Sequence, residues 1–352
     1  DIFAGPNGTT IECPVDVNGV LFFFATNGIN GKELWKSDGT AAGTVMVKDI
    51  NPGPGDGYFS ICNQYTQGAN NNGVFYFAGY DPTNGNELWK SDGTVAGTTI
   101  LKDINPGSAN GSPASFQNNN GALFFCATTA TGTGLWKSDG TTTTRVSDVN
   151  PGSGDANPTW LTVVGSNIYF QAYSPSFGTE LFVTDGTNVT SIDVLSGVLS
   201  SSPDYLKNVN GTLYFNAEKT ANGRELCKVS PSDPSQVTEV QDLNPGAANG
   251  NPNNITVCGT TIFLLADGAS YSNLLWAAPS VPLPLYLLEF NGKVENNTNA
   301  ILRWKTAGEV NTSEFVIERS TNGSTFGSLG TVNAYNTTGT NHYEFTDPDI
   351  AK

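Results

Sequence analysis

Residues 33–40 read ELWKSDGT, and this octapeptide decides the fold because it recurs along the chain. A second copy occupies residues 87–94, and a third occupies residues 134–141 with glycine in place of the glutamate. Shorter copies begin at Glu180, Glu225 and Leu274. The tryptophan position recurs every 45 to 54 residues and is held by Trp35, Trp89, Trp136, Phe182, Cys227 and Trp276. Intervals of this size are typical of the four-stranded blades of a β-propeller.

Each copy divides into short extended segments separated by turn-forming residues. In the fifth copy these segments are residues 205–209, 212–217, 224–229 and 236–242. Asn210-Gly211 predicts a hairpin between the first two segments, and Asp-Gly pairs such as Asp38-Gly39 predict a turn between the last two. A link of the form Asp-x-Asn-Pro-Gly follows, and its proline ends the strand pairing because proline cannot donate to a ladder. The pattern predicts four-stranded antiparallel sheets in series.

A parallel β-solenoid is the main alternative to a propeller. Solenoid coils are usually shorter than these repeats, and Asn-Gly hairpins favour antiparallel pairing. We therefore predict an all-β chain in which residues 1–279 form a β-propeller of about six blades. The blade count and the closure of the ring are left open.

The pattern changes after residue 279, where a proline-rich linker at residues 280–284 precedes a second set of short strands. About five alternating strands and the single tryptophan Trp304 are typical of an immunoglobulin or fibronectin sandwich, which has seven strands. We predict that residues 285–352 form an incomplete sandwich of the fibronectin type III kind. Its remaining strands are expected either in a longer native chain or in another chain.

The charge and the cysteine content exclude several classes of protein. The 352 residues include 16 basic and 32 acidic side chains, a net charge of −16, which would repel nucleic acid. Five cysteines without a CxxC pair argue against a cysteine-rich zinc site, and the single histidine, His342, argues against His-rich metal sites and Ser-His-Asp catalysis in the first 280 residues. No apolar run reaches the roughly 18 residues of a membrane helix, so no transmembrane segment is expected.

Two motifs carry a resemblance to known bacterial proteins. Residues 33–44, ELWKSDGTAAGT, resemble the ELWxSDGTxxGT repeats of large secreted bacterial surface proteins. Residues 304–311, WKTAGEVN, and 315–320, FVIERS, are similar to the fibronectin-like domain that precedes the sorting domain of type IX secretion cargo in Bacteroidota. The resemblance implies a secreted or cell-surface location and export by the type IX machinery through a further C-terminal domain. It carries over no catalytic residues.

Four glutamates share one position of the repeat, namely Glu33, Glu87, Glu180 and Glu225. A ring of carboxylates could bind calcium or act as acid and base, but repetition favours a structural role, because a catalytic centre needs different residues from different blades. Two oxygen-rich loops, residues 49–56 and 81–87, lack EF-hand spacing. They contain the calcium candidates Asp49, Asn51, Asp56, Asp81 and Glu87. No cofactor is expected, with calcium kept as an alternative.

Departures from the repeat are the better places to look for a ligand site. Trp160 and Tyr205 share a position at the start of a first strand, which lines the channel rim in a propeller. Aromatic faces at a rim can stack on sugar rings, although packing between blades is the simpler explanation. The candidate ligand-binding residues are Tyr65, Tyr80, Trp160, Tyr173, Phe177, Tyr205 and Tyr271.

Without a recognisable catalytic set, the sequence favours a non-enzymatic extracellular or cell-surface scaffold or adhesion module, with assembly from copies of itself as an option. The alternatives are a lectin-like, carbohydrate-binding propeller and a propeller glycosidase or lyase with an unrecognised carboxylate pair. The expected partners are an extracellular glycan or protein and further copies of the chain. Enzymatic activity is left open.

Overall fold

A computed structural model describes residues 2–3, 8–58, 68–147, 149–150, 154–219, 222–230, 233–258, 261–279, 286–295, 298–307, 309, 314–320, 326–335, 337 and 339–348. All the regular secondary-structure elements in these ranges are β-strands, which confirms the all-β prediction. None of the described segments is a helix that could cross a membrane. The chain separates into two compact units, Asp1–Ile255 with Leu264–Trp276 and Thr256–Phe263 with Ala277–Lys352.

Five four-stranded antiparallel sheets follow one another along the first unit, each with its strands in chain order. Sheet 1 contains β1 (Glu12–Val17), β2 (Val20–Ala25), β3 (Glu33–Ser37) and β4 (Val45–Lys48). Sheet 2 contains β5 (Ala69–Asn71), β6 (Val74–Asp81), β7 (Gly85–Ser91) and β8 (Thr99–Lys102). Sheet 3 contains β9 (Ala114–Asn119), β10 (Ala122–Thr129), β11 (Gly132–Ser138) and β12 (Thr143–Ser147).

Sheets 4 and 5 repeat this arrangement. Sheet 4 contains β13 (Thr159–Val164), β14 (Asn167–Ser174), β15 (Gly178–Thr184) and β16 (Val189–Ile192). Sheet 5 contains β17 (Asp204–Val209), β18 (Thr212–Lys219), β19 (Gly223–Ser230) and β20 (Asp233–Gln241). A further sheet of three strands contains β21 (Asn253–Cys258), β22 (Thr261–Gly268) and β23 (Tyr271–Pro279).

The apolar cores of the first unit lie between successive sheets. Phe22 and Phe24 of sheet 1 pack with Phe75, Phe77 and Trp89 of sheet 2, and all five side chains are buried. The next three interfaces are built in the same way. The first strands of successive sheets also contact each other. Sheets that pack face to face with their first strands adjacent have the arrangement of propeller blades.

The lysine of the repeat motif ties each of the first three sheets to the next one. Lys36 Nζ donates to the carbonyl oxygen of Gly93 at 2.8 Å, and Lys90 Nζ donates to that of Gly140 at 3.0 Å. Lys137 makes the same contact with sheet 4. Each acceptor is the glycine of an Asp-Gly turn in the next sheet, so the octapeptide supplies both the donor and the acceptor of this contact.

The repeated glutamates are buried acceptors for the link that leaves their own sheet. Glu87 is fully buried and accepts the N–H groups of Ile104 at 2.7 Å and Gly111 at 2.6 Å. The same role is played by Glu33, Glu180 and Glu225. In sheet 3 glycine replaces the glutamate, and a Cβ on Gly134 would lie 2.4 Å from Arg145 Nε. The structure therefore supports a structural role for this position.

These carboxyl groups make the stability of the first unit depend on pH. Burial raises the pKa of Glu33, Glu87 and Glu225 to about 7, against the opposing effect of the backbone N–H groups. The ordinary pKa of a glutamate side chain is 4.5. Between pH 4.5 and 7, the folded state therefore holds protons on these glutamates that the unfolded state has released. This stabilisation is complete below pH 4.5 and is lost as the pH rises through 7.

We expect the Tm of the first unit to fall between pH 5.5 and pH 8 at constant ionic strength, as measured by circular dichroism. The turn aspartates Asp38, Asp92 and Asp139, whose pKa values are lowered by hydrogen bonds within their turns, titrate below this window. A Tm that rises over the same interval would contradict the assignment of raised pKa values to the buried glutamates.

The second unit contains a three-stranded and a two-stranded antiparallel sheet. The first consists of β24 (Tyr286–Glu295), β25 (Asn299–Ala307) and β28 (Thr340–Asp347) in the order β24-β25-β28, and the second consists of β26 (Glu314–Arg319) and β27 (Gly327–Asn333). Trp304, Ile317 and Tyr343 form the buried centre of its core. The Trp304 ring stacks on Tyr343 at 5.4 Å and meets the edge of Phe315 at 5.5 Å.

Candidate functional site

Two of the sequence-predicted aromatic residues lie together at one end of sheets 4 and 5. We call this the connector end, because here the second strand of a sheet turns into the third and the link to the next sheet leaves. Trp160 and Tyr205 are the second residues of β13 and β17, which start at this end. Their ring centroids are 4.9 Å apart, with the planes at 45°, and both side chains are half-buried.

Both residues have a left-handed backbone, which is unusual for aromatic side chains. Trp160 has φ 59° and Tyr205 has φ 52°, and each lies where the first strand bulges against the second. The same conformation recurs in other first strands at Cys13, Ser115 and Asn254. The backbone conformation is therefore a property of the repeat, while the aromatic side chains are particular to sheets 4 and 5.

The fourth link departs from the others and exposes two aliphatic side chains. The links can be aligned at the N–H group that donates to the repeated glutamate. In this alignment Val198 and Leu199 of the fourth link occupy the positions that other links fill with Pro54-Gly55, Ser108-Ala109 and Ala247-Ala248. Val198 is 72% exposed and Leu199 is 56% exposed. Sequence analysis missed both residues, although the replacement of Asn-Pro-Gly by Leu-Ser-Gly in this link was a visible signal.

The turn between β14 and β15 is in backbone contact with this link. The N–H of Thr179 donates to Ser200 Oγ at 2.9 Å. A Cβ on Gly178, which has φ +73°, would lie 2.9 Å from the carbonyl oxygens of Val198 and Leu199. Only glycine permits so close an approach with this backbone conformation. The turn and the exposed aliphatic residues are therefore neighbours.

Two aromatic side chains flank this contact. Phe177 lies in the turn and is half-buried, and Tyr173, which pairs with Thr179 across the hairpin, is 42% exposed. We name Tyr173, Phe177, Val198 and Leu199 the apolar patch. The patch presents carbon surface and one phenol hydroxyl, so it offers apolar contacts rather than acid–base chemistry.

An ion pair beside Tyr205 anchors the same link. Arg224 lies 3.0 Å from Asp204 Oδ1, and its guanidinium also donates to the carbonyl oxygens of Ser201 and Ser202. Burial raises the pKa of Asp204, and the charge of Arg224 acts in the opposite direction. These contacts hold the backbone between the apolar patch and Tyr205.

The remaining aromatic candidates do not join this group. Tyr80 lies near the end of β6 in sheet 2, where its N–H donates to the carbonyl oxygen of Gly57 at 2.8 Å. Tyr271 begins β23 and is 72% exposed. Tyr65 lies outside the described residues.

The calcium candidates already have hydrogen-bond partners, some in their own loops and some in the turn between β2 and β3. Asp56 Oδ1 accepts the N–H of Lys32 at 2.7 Å, and Asn51 Nδ2 donates to the carbonyl oxygen of Asp56 at 3.0 Å. Asp49 and Asp81 each accept from a neighbouring asparagine side chain. The fifth candidate, Glu87, is the buried glutamate of sheet 2 that accepts from the link. Over the described ranges, no three His, Cys, Asp or Glu side chains form a group that could hold a metal ion.

No protein-family model matches the chain, and no curated protein matches it. A structure from a study of two prolyl endopeptidases is similar with TM-score 0.49 and 12% identity, over 97% of this chain and 50% of that one. Prolyl oligopeptidase B from Galerina marginata gives TM-score 0.43 and 11% identity, over 93% of this chain and 51% of that one. The β-propeller domain of the Trilobed protease from Pyrococcus furiosus gives TM-score 0.40 and 10% identity, over 85% of this chain and 91% of that one.

These comparisons correct the functional prediction. The similar structures are peptidases and a protease propeller domain, so the non-enzymatic scaffold or adhesion module is contradicted, together with its carbohydrate-binding and glycosidase or lyase alternatives. The chain spans about half the length of the first two peptidases. With identities of 10–12% and TM-scores below 0.5, their activities are not transferred to this chain.

Proposed function

We propose that the first unit is a polypeptide-recognition module whose binding surface is the apolar patch at the connector end of sheet 4. The observation that carries this proposal is the fourth link, whose two exposed aliphatic residues lie with their backbone against Gly178, the residue that follows Phe177. Adjacent large apolar side chains at the surface typically mark an interaction site, because burying them against a partner removes apolar area from water. The half-buried pair of Trp160 and Tyr205 lies at the same end of sheets 4 and 5.

The proposal includes a finer description of the fold. Six copies of the repeat and the face-to-face packing of consecutive sheets support a propeller of six blades. Two small antiparallel sheets around one tryptophan support a fibronectin-like sandwich for the second unit. A propeller is suited to recognition because loops at the ends of its rigid sheets can vary without disturbing the cores.

The composition of the patch favours a polypeptide over other ligands. Sugar sites combine aromatic faces with polar side chains that bind hydroxyl groups, whereas this patch includes two aliphatic side chains. An anionic lipid surface is disfavoured by the net charge of −16. Leucine, proline and aromatic side chains of an extended segment would match an apolar surface with adjacent rings.

Selection from a displayed library of random peptides would test this function. We expect the selected peptides to be rich in apolar residues and to lose at least tenfold in affinity when Val198 and Leu199 are both replaced by aspartate. A tenfold loss corresponds to about 1.4 kcal/mol, less than the transfer free energy of two aliphatic side chains. Val95→Asp is the matched control, because Val95 is 66% exposed in a turn at the other end of sheet 2. Selected peptides that bind the double variant with unchanged affinity would contradict the proposal.

Export by the type IX route, a secreted or cell-surface location and an extracellular partner stay predictions that rest on the motif resemblance. They are tested by locating the protein in cell fractions with and without an intact type IX machinery. Retention inside cells that have the machinery would contradict them.

A further inference from the structure

A polar cavity of about 470 Å³ lies between sheets 2 and 3 at their turn end. The turn end is the end opposite the connector end, where the Asp-Gly turns lie. Asn71 and Tyr76 of sheet 2 form the buried floor of the cavity, since they are 3% and 4% exposed. Asp92 and Asp139, from the turns of sheets 2 and 3, line its exposed mouth, and Lys90 lines its wall.

The side chain of Asn71 has an acceptor without a donor. Its Nδ2 donates to the carbonyl oxygen of Gly121 in sheet 3 at 2.9 Å, which sets the orientation of the amide. Its Oδ1 is buried, and no group among the described residues donates to it. A buried oxygen without a partner costs free energy, so such an atom in a residue that lines a cavity indicates a ligand with an N–H or O–H donor.

The two turn aspartates each have one carboxyl oxygen that accepts no hydrogen bond. Asp92 Oδ1 accepts the N–H and the hydroxyl of Thr94 at 2.8 and 2.7 Å. Asp139 Oδ1 accepts the same two groups of Thr141 and a further N–H from Thr142. Within the described ranges, all the hydrogen bonds to these carboxylates go to Oδ1 and none to Oδ2. Two charged oxygens and one amide oxygen suit an ammonium group, which has three donors and no acceptor.

Two donors lie close to these acceptors. Lys90 Nζ donates to the carbonyl oxygen of Gly140, the residue after Asp139, and retains two further N–H groups. The Tyr76 hydroxyl lies at the same glycine, because a Cβ on Gly140 would be 2.5 Å from its oxygen. Burial and the charge of Asp139 raise the pKa of Tyr76, so the phenol stays protonated and can donate. A cation and a phenol donor together suit a carboxylate.

The hydroxyl of Tyr76 is not required for packing between sheets. Phe22 and Phe124 occupy the position of Tyr76 in sheets 1 and 3. The ring of each meets the equivalent turn glycine of the next sheet, with 3.1 and 3.0 Å to the Cβ that would be added there. Phenylalanine therefore serves the packing role at this position, and the hydroxyl between sheets 2 and 3 is available for a ligand.

We propose that the cavity binds a small zwitterion whose ammonium and carboxylate groups are close together, namely a free α-amino acid. The ammonium group would meet the two aspartates and Asn71 Oδ1, and the carboxylate would meet Lys90 and Tyr76. A simple cation would be repelled by Lys90, and a simple anion by the aspartates, so opposite charges on one small ligand match the site best. The half-buried Val74 in the lining favours an aliphatic side chain. This site lies at the opposite end of the sheets from the apolar patch and does not depend on the proposed function.

The probe is free leucine, titrated into the full chain and followed by isothermal titration calorimetry. We expect one saturable site. The analogue without the ammonium group is 4-methylpentanoate, and the analogue without the carboxylate is isopentylamine. Each is expected to bind at least about tenfold more weakly, because it lacks charge-assisted hydrogen bonds. Equal affinity for either analogue would overturn the proposal.

Two substitutions test the location of the site. Asp139→Asn keeps an Oδ1 that accepts from its own turn but removes the charge, and Tyr76→Phe introduces the residue of sheets 1 and 3. We expect leucine to bind each variant at least about tenfold more weakly. Asp38→Asn is the matched control, because Asp38 makes the same turn hydrogen bonds with Thr40 in sheet 1, and its affinity should be unchanged. Unchanged affinity in both cavity variants would overturn the proposal.

Nuclear magnetic resonance of the isotope-labelled chain locates the ligand directly. We expect leucine to shift the amide signals of residues 71–74 and 139–141 and to leave those of residues 38–40 in place. Shifts confined to other segments, or no shift at saturating leucine, would overturn the proposal. This readout does not require a substitution, so it decides the question even where a variant fails to fold.

Discussion

Replacing Trp89 with alanine is expected to lower the free energy of unfolding of the first unit by about 3–5 kcal/mol, as is usual for a large aromatic residue in a core. Trp89 is 6% exposed and packs in the cluster between sheets 1 and 2, with Lys48 Nζ 5.7 Å from its ring centroid. A Cβ on Gly79 would lie 2.7 Å from the indole, which shows how closely the ring fits its neighbours.

Urea denaturation followed by tryptophan fluorescence and circular dichroism would measure the loss. Val95→Ala is the control, because Val95 follows Trp89 in the same repeat but is 66% exposed, and its effect should stay below about 0.5 kcal/mol. Trp136 packs in the same way between sheets 2 and 3, and Trp35 packs with Phe23 and Ala25 of its own sheet; they are 9% and 8% exposed, so alanine at either position should also be destabilising. A loss below about 1 kcal/mol for Trp89 would contradict its assignment to the core.

Replacing Glu87 with glutamine is expected to lower the free energy of unfolding by about 2–4 kcal/mol, although the shape of the side chain hardly changes. One carboxyl oxygen accepts from Ile104 N–H, and the other accepts from Gly111 and Asn105 N–H. Both oxygens of a carboxyl group can accept, whereas the amide nitrogen of glutamine can only donate. At least one of these N–H groups would therefore lose its hydrogen bond to the side chain at position 87.

The same denaturation experiment at a fixed pH measures this loss. Lys102→Gln is the control, since it removes one charge from an exposed position of the same sheet and should change stability by less than about 0.5 kcal/mol. Because the link of sheet 2 leads to sheet 3, we also expect faster amide exchange of Gly111 in Glu87→Gln. An unchanged stability would mean that the glutamate is not required to hold the link.

Two of the four predicted aromatic residues in the candidate site shared a repeat position, and this is why the sequence predicted that pair. Trp160 and Tyr205 occupy the same place in neighbouring sheets, so adjacency of the sheets brings the rings within 4.9 Å. The other candidates were expected in loops: Tyr173 and Phe177 lie at the connector end of sheet 4, whereas Tyr80 and Tyr271 belong to other sheets. Val198 and Leu199 carry the proposed site but were not predicted, because an aliphatic residue is most often found in a core.

The sequence alone determined that this chain is all-β and that its first part consists of repeated four-stranded units. Hairpin turns and alternating patterns act between residues that are near in the chain, so their result can be read locally. Only the tertiary structure decided that Lys36 and Lys90 bond to the next sheet, that Glu87 holds a link, and that Asn71 and Asp139 line one cavity. These outcomes depend on which elements meet in space, because burial and hydrogen-bond partners across sheets are not encoded in any single repeat.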